Sequence, residues 1–216
     1  MKKRIKESWN INEIEDIYLP YKPKRRTRAE IAREKGLEPL AKIIMRQQGN
    51  DTENAALHFV KGDIADVEEA IKGAKDIIAE WINENEAARD RVRRNFSYES
   101  EITSKVVKGK EKEAEKYRDY FETREPLKRC SSHRLLAMRR GESEGFLRVS
   151  ISPDDDHSSE RLYPLFVKGE NAMAEVVKEA IDDSYKRLIK PSIETEFAAS
   201  SKEKADEEAI RVFAEN

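Results

Sequence analysis

A stripe of apolar side chains between positions 67 and 92 constrains the fold of this chain more than any other feature. Its members recur at steps of alternately four and three residues, at Val67, Ile71, Ala74, Ile78, Trp81, Asn85, Ala88 and Val92. A 3.5-residue repeat of this kind places them along one side of a helix, where they pack against another helix. Only Asn85 is polar. We therefore predict one long helix, or two closely spaced helices, over residues 66–95.

The composition favours helices elsewhere as well. Charged residues make up 40% of the chain and apolar residues 38%, with only eight glycines, and Glu, Lys and Arg cost little helical propensity. The apolar residues recur at helical spacing, which argues against disorder. Cap and breaker residues predict further helices over about 12–18, 28–35, 37–48, 51–60, 112–121, 131–140 and 173–189, and from 192 to the last residue.

Local signals define several of these helix ends. Thr27 is the predicted N-cap of the second helix, with Glu30 completing a capping box, and Gly36 suits its C-terminal end. Two short helices joined at Gly36 fit a plain αα-hairpin best, although a helix-turn-helix remains an alternative. Pro191 is expected to stop the helix that precedes it.

Two short segments alternate between apolar and polar residues, as half-buried strands do. They are 102–107 and 147–152, and because one strand cannot stand alone we expect them to pair. The predicted fold class is therefore mainly α, a multi-helix array with one or two long helices and a candidate two-stranded β element. We divide the chain into an N-terminal subdomain at 1–62, a long helix with a mixed segment at 63–152, and an acidic loop with C-terminal helices at 153–216.

Charge and cysteine content limit the classes of function. The chain has 42 basic and 44 acidic residues, a formal net charge of −2, so any binding to nucleic acid must come from local basic patches. The single Cys130 excludes an internal disulfide. No apolar stretch of about 18 residues and no secretory signal are present. We expect a cytoplasmic protein without membrane contact.

Catalytic and metal-binding patterns are missing from the sequence. His58, His133 and His157 have no cysteine or carboxylate at ligand spacing. The Gly109-Lys110 pair is not a phosphate-binding loop, because Ser104 and Glu111 stand where Gly and Ser or Thr are required. The acidic loop at 153–159 lacks the spacing of a calcium loop. We predict no enzyme activity, no cofactor and no metal site.

Basic residues beside aromatic ones are the remaining functional signal. A proline-stiffened connector at 18–28 contains five cations and two tyrosines without an acid. Cations neutralise phosphates and tyrosines stack on unpaired bases, although helix connectors and ion pairs use the same residues. The candidate nucleic-acid-binding residues are Tyr18, Tyr21, Lys22, Lys24, Arg25, Arg26 and Arg28, with Arg91, Arg93 and Arg94 as secondary candidates. A further cluster contains Arg134, Arg139 and Arg140.

Several ordered motifs resemble the N-terminal region of the Tex family of bacterial transcription accessory proteins. They are DIYLPYKPKRRTRAEIAREKGLEPLA at 16–41, VKGKE at 107–111, RDYF at 118–121, EPL at 125–127, SHRLLAM at 132–138 and EEAIRVFA at 207–214. The resemblance spans nearly the whole chain. It implies a multidomain protein linked to transcription and related to the eukaryotic elongation factor Spt6, in which RNase-H-like (YqgF-type), helix-hairpin-helix and S1 domains follow this region.

None of those three domains fits in this sequence, and the S1 domain is the family's main nucleic-acid-binding module. We therefore expect a non-catalytic helical scaffold, a piece of a longer protein, that makes weak contacts with RNA or DNA backbones. Two alternatives stay open. One is a pure protein–protein scaffold that docks other domains of the same protein or the transcription machinery. The other is a segment that supports an RNase-H-like nuclease site outside this chain.

Overall fold

The computed structural model describes residues 11–22, 26–153 and 157–215. The α-helices in this part of the chain are α1 (Ile11–Tyr18), α2 (Arg28–Glu34), α3 (Glu38–Arg46), α4 (Thr52–Leu57), α5 (Val67–Asn83), α6 (Glu86–Glu99), α7 (Ser132–Ser143), α8 (Tyr163–Phe166), α9 (Ala172–Ser184) and α10 (Lys190–Glu215). The strands are β1 (Glu101–Val106), β2 (Glu122–Pro126) and β3 (Leu147–Ser152). Short 3₁₀ helices lie at Leu19–Tyr21, Glu115–Tyr120, Leu127–Arg129 and Glu160–Leu162. The predicted mainly helical fold is confirmed.

The chain forms two compact units, each made of two separate stretches. The first contains Met1–Arg91 and Ser159–Lys190, and the second contains Val92–Ser158 and Pro191–Asn216. The three divisions drawn from the sequence remain a prediction. In the part of the chain that the structure describes, no helix has both the length and the apolar composition of a membrane span.

Helix α5 is the centre of the first unit. It packs against α2, α3, α4 and α9, and its fully buried side chains include Ile77, Ile78 and Ile82. The first unit also buries Leu37, Leu40 and Ile44, which follow the same helical spacing. The Ser184 hydroxyl of α9 donates to the Ala79 carbonyl at 2.7 Å. A polar contact thus fixes α9 on α5 within an apolar core.

The stripe at 67–92 forms two closely spaced helices, one of the two predicted arrangements. Helix α5 ends at Asn83, and α6 starts at Glu86. The side-chain oxygen of Asn85 accepts from the Ala88 N–H at 3.0 Å, as an N-cap does. The polar residue that interrupts the stripe therefore begins the second helix.

A three-stranded antiparallel sheet with strand order β2-β1-β3 is the centre of the second unit. The predicted pairing of the two alternating segments is confirmed, with Ile102 opposite Ile151. Both side chains are buried with Leu135 and Met138 of α7 and with Ala205 of α10. The added strand β2 pairs with the other edge of β1. Its sequence, ETREP, carries no apolar alternation, so the predicted two-stranded element was one strand short.

Several predicted helix limits differ from the structure. The segment predicted as a helix at 112–121 forms only the 3₁₀ turn Glu115–Tyr120. Helix α7 continues through Gly141 instead of ending at Arg140. A β-carbon at Gly141 would lie 2.6 Å from Leu147 Cδ1, so this glycine permits close packing of helix on strand and does not end the helix.

Pro191 does not stop its helix, contrary to the prediction. A π-helical turn at Tyr185–Ile189 connects α9 to α10, and the Lys190 N–H donates to the Tyr185 carbonyl five residues back. Proline lacks an N–H and crowds the preceding turn of a regular α-helix. A wider turn just before it relieves that conflict, which lets the helical path continue through Pro191.

Candidate nucleic-acid interface

The basic connector begins with an exposed aromatic turn. Pro20 lies in the first turn of the 3₁₀ helix Leu19–Tyr21, where its missing N–H costs nothing. Tyr18 is 43% exposed and Tyr21 62% exposed, and Lys22 is exposed beside them. Lys24 and Arg25 lie outside the described residues. Two aromatic faces and one cation of the candidate site are therefore accessible to solvent.

A buried ion pair anchors the N-terminal side of this connector. Asp16 accepts from Arg89 Nε at 2.5 Å, and both side chains are almost fully buried. Ile17 is buried next to it. Arg89 Nη1 also donates to Asn83 at 3.4 Å. The last turn of α1 is thus held against the junction of α5 and α6, immediately before the exposed tyrosines.

A second polar anchor holds the C-terminal side. The Thr27 hydroxyl accepts from the Glu30 N–H at 3.1 Å, which confirms the predicted N-cap. The same hydroxyl donates to Glu80 of α5 at 3.3 Å. Glu80 is buried and also accepts from Arg33 Nη1 at 3.3 Å. The connector is therefore fixed at both ends to the same unit.

The cations between and beside these anchors differ in their partners. Arg26 pairs with Glu34 at 2.9 Å, and both side chains are more than half exposed. Such a pair contributes little and is screened by salt, so Arg26 can exchange its partner for a phosphate at small cost. Lys22 and Arg28 are exposed and form no ion pair with a described residue.

The secondary candidates belong to two different units. Arg91 is exposed and donates to the Arg161 carbonyl at 3.2 Å in the first unit. Arg93 belongs to the second unit, where its Nε lies 2.9 Å from Glu196 in a largely buried pair. Arg94 is exposed and forms no ion pair with a described residue. The structure thus separates these three side chains by unit and by exposure.

The remaining charged motifs are engaged locally or lie outside the described residues, except Arg140, which is exposed and forms no ion pair with a described residue. Arg134 pairs with Glu125 at 3.1 Å, and Arg139 with Glu142 at 2.7 Å. The Glu111 carboxylate accepts from the Gly109 N–H at 3.1 Å, and backbone N–H groups lower its pKa. The acidic residues at 154–156 are not among the described ones. Among those that are, no group of three or more His, Cys, Asp or Glu side chains is arranged to hold a metal ion.

A cationic groove beside Arg28 was not predicted from the sequence. It has a volume of about 380 Å³ and lies between α2 and α5, with Arg28, Lys35 and Lys72 among its lining residues. Lys35 lies 2.5 Å from Glu69 and lowers the pKa of that carboxyl. Burial raises the pKa of Asp76, against the opposing charges of Arg187 and Arg28. Lys72 belongs to no basic run, so only the packing of α2 on α5 reveals it.

Comparisons with known proteins agree on one family. The family model described as "Tex central region-like" matches residues 47–213. Protein YdcI of Bacillus subtilis is 40% identical over this whole chain, which covers 31% of YdcI. The transcriptional accessory protein Tex of Neisseria gonorrhoeae is 38% identical over the whole chain, which covers 29% of it. Protein YhgF of Escherichia coli is 38% identical over 99% of the chain and is covered to 29%. This chain spans less than one third of each relative.

Proposed function

We infer a function for this chain from its family, because the chain belongs to the Tex family. We propose that it is a non-catalytic helical module of a cytoplasmic transcription accessory protein, and that it makes weak contacts with RNA or DNA backbones. The name of the Neisseria relative supports the link to transcription. The nucleic-acid contact is supported by the connector between Tyr18 and Arg28.

The observation that carries this proposal is that the residues flanking the connector are fixed to the first unit, while Tyr18, Tyr21 and Lys22 are exposed. The Asp16–Arg89 pair and the Thr27–Glu80 hydrogen bond hold the flanking residues. The tyrosines between them remain exposed. A segment held in this way gives up less conformational freedom on binding than a free tail does. Its cations can meet phosphates while Tyr18 and Tyr21 stack on unpaired bases.

A salt titration tests this proposal. Fluorescence anisotropy would measure binding of labelled single- and double-stranded RNA and DNA to the wild-type chain and to Arg26→Gln/Arg28→Gln. On single strands, the slope of log K against log salt should fall by about 0.7 for each phosphate that the variant no longer neutralises. Tyr21→Ala should weaken single-strand binding by about 1–3 kcal/mol, the value of one stacked base, and leave double-strand binding unchanged.

The matched control is Lys42→Gln/Lys178→Gln, which removes the same charge from two other helices of the first unit. Lys42 pairs with Glu38 and Lys178 with Glu175, each at 2.7 Å. This control should keep the wild-type salt slope. Undetectable binding at low salt, or equal slopes for both double variants, would remove the nucleic-acid part of the proposal.

A protein–protein scaffold is the second candidate. It is favoured by exposed apolar side chains in the last turns of α10, where Ile210 is 70% and Phe213 86% exposed. Apolar patches of this kind mark docking surfaces, and the partner would be another domain of a longer Tex protein. Ile210→Ser/Phe213→Ser should weaken the association of this chain with the remainder of the Tex protein supplied in trans, as measured by calorimetry. Unchanged association would exclude this surface.

A further inference from the structure

The groove between α2 and α5 has an apolar floor closed by tight packing. Its floor includes Ala32, Leu37 and Gly73. A β-carbon at Gly73 would lie 2.4 Å from Leu37 Cδ1 and 3.3 Å from Ala32 Cβ, so a larger residue at this position would have to displace the Leu37 side chain. Ile31 stands at the rim, 37% exposed. The groove thus combines a largely buried apolar floor with one accessible apolar side chain, that of Ile31.

Each acid of the groove lies next to a cation. Glu69 pairs with Lys35 at 2.5 Å and accepts from the Ala65 N–H at 2.9 Å. Asp76 lies 3.5 Å from Arg187 Nη2. Two lining cations, Arg28 and Lys72, form no ion pair with any described residue. The lining of the groove therefore carries three cations and two carboxylates, and two of the cations are free of a direct ion pair with a described residue.

We propose that this groove binds one nucleotide of a single-stranded nucleic acid. Arg28 and Lys72 hold the phosphate, and the base or sugar lies on the floor beside Ile31. The inference rests on the proposed nucleic-acid association and extends it from the exposed connector into a concave site. An acidic peptide would satisfy the two cations equally well, but its carboxylates carry no flat group to cover the apolar floor. The combination of both surfaces therefore favours a nucleotide.

Two variants test the groove in the 216-residue chain, with a 12-nucleotide oligouridine RNA, the matching DNA and oligoglutamate as probes. Lys72→Gln should weaken RNA binding and lower the salt slope by about 0.7, the value for one phosphate. Ile31→Trp should fill the groove and weaken binding while the salt slope stays at the wild-type value. Circular dichroism and thermal unfolding verify that both variants are folded, and Lys72→Gln changes an exposed side chain only.

Lys75→Gln is the matched control, because Lys75 lies on the same helix and pairs with Glu179 at 2.7 Å. It should bind like the wild type. The inference is overturned if Lys72→Gln and Lys75→Gln have equal affinities and slopes. It is also overturned if oligoglutamate binds as well as RNA and is weakened equally by Lys72→Gln, which would define an acidic-peptide site.

The connector variant Arg26→Gln/Tyr21→Ala separates this inference from the proposed function. Weakened RNA binding in that variant, with no change in Lys72→Gln, supports the connector and overturns the groove. Weakened binding in Lys72→Gln and Ile31→Trp alone supports the groove and overturns the connector. Absence of RNA binding by the wild-type chain at low salt overturns both.

Discussion

Asp16 and Arg89 form a buried ion pair between α1 and α6, with Arg89 Nε 2.5 Å from Asp16 Oδ1 and side chains that are 4% and 7% exposed. A charge taken out of water is costly unless its partner and further hydrogen bonds compensate it. Asp16 comes two residues before Tyr18 in the sequence, so the pair fixes the start of the connector as well as the packing of α1 on α6.

Removing one member of this pair should therefore be more harmful than removing both. Asp16→Ala leaves a buried guanidinium without its carboxylate and should destabilise the first unit by about 3–5 kcal/mol. Urea unfolding followed by circular dichroism measures the change. The double variant Asp16→Ala/Arg89→Ala should cost less than the sum of the single variants. The exposed Arg91→Ala should stay within about 0.5 kcal/mol of wild type, and an equally small effect of Asp16→Ala would contradict the expectation.

Asn85 should stabilise the start of α6 through its side chain. Asn85→Ala removes the acceptor of the Ala88 N–H and should cost about 1 kcal/mol. Asn85→Asp keeps an acceptor oxygen and should be nearly neutral. Thermal unfolding of both variants provides the comparison. If alanine is as stable as asparagine, the cap contributes nothing, and continuation of α5 into α6 would be the better description of this junction.

Gly141 should respond to alanine with the opposite sign from an ordinary helical glycine. Alanine normally stabilises a helix interior by about 1 kcal/mol relative to glycine. At Gly141 the new methyl group would lie 2.6 and 2.9 Å from Leu147 Cδ1 and Cγ, so we expect a destabilisation of about 1–3 kcal/mol through overpacking. Gly169→Ala, where no atom lies within 4 Å of the new group, is the control. A stabilised Gly141→Ala variant would refute the packing account.

Cys130 should be a slow nucleophile. Burial, reinforced by the charge of Glu125, raises the pKa of its thiol from 9.0 to about 11. Since the thiolate is the reactive form, alkylation by iodoacetamide at pH 8 should be about 100-fold slower in the folded chain than in urea. Mass spectrometry measures both rates. Equal rates in the folded and unfolded chains would show that the thiol is not shielded.

The raised pKa of the Cys130 thiol also makes the free energy of unfolding depend on pH. Between pH 9 and about 11 the unfolded chain releases the Cys130 proton first, because its pKa is the lower one. The folded state then binds more protons than the unfolded state, so this group makes stability fall as the pH rises through that window. Cys130→Ala should remove its contribution to the slope. If the free energy of unfolding of Cys130→Ala falls with pH as steeply as that of the wild type, other groups cause the loss of stability at alkaline pH.

Most helices were predicted from the sequence, because helix caps and apolar periodicity depend on residues that are close together in the chain. The Thr27 cap, the alternation in the segments that form β1 and β3, and the polar break at Asn85 are examples of features that short patterns revealed. Long-range packing decided what the sequence did not show. Strand β2 has no apolar alternation and is recognisable only from its pairing with β1, and Gly141 resembles a helix end until Leu147 is placed against it.

Part of the candidate site was also predictable from the sequence, and part was not. The tyrosines and cations of the connector form a compositional signal, so they were found from the sequence. Their anchors were not, because Asp16–Arg89 and Thr27–Glu80 join residues far apart in the chain. Lys72 had no signal of its own. Its place in the lining of the groove becomes visible only when α2 is packed on α5.

The interleaved chain path of the two units has a consequence for synthesis on the ribosome. Helix α5 is complete long before α9, the partner whose Ser184 bonds to Ala79, because residues 92–158 are translated between them. At about 5–20 residues per second, this interval lasts several seconds. During that time the apolar side of α5 that receives α9 is without that partner. Nascent chains stalled within this interval are therefore expected to be clients of ribosome-associated chaperones.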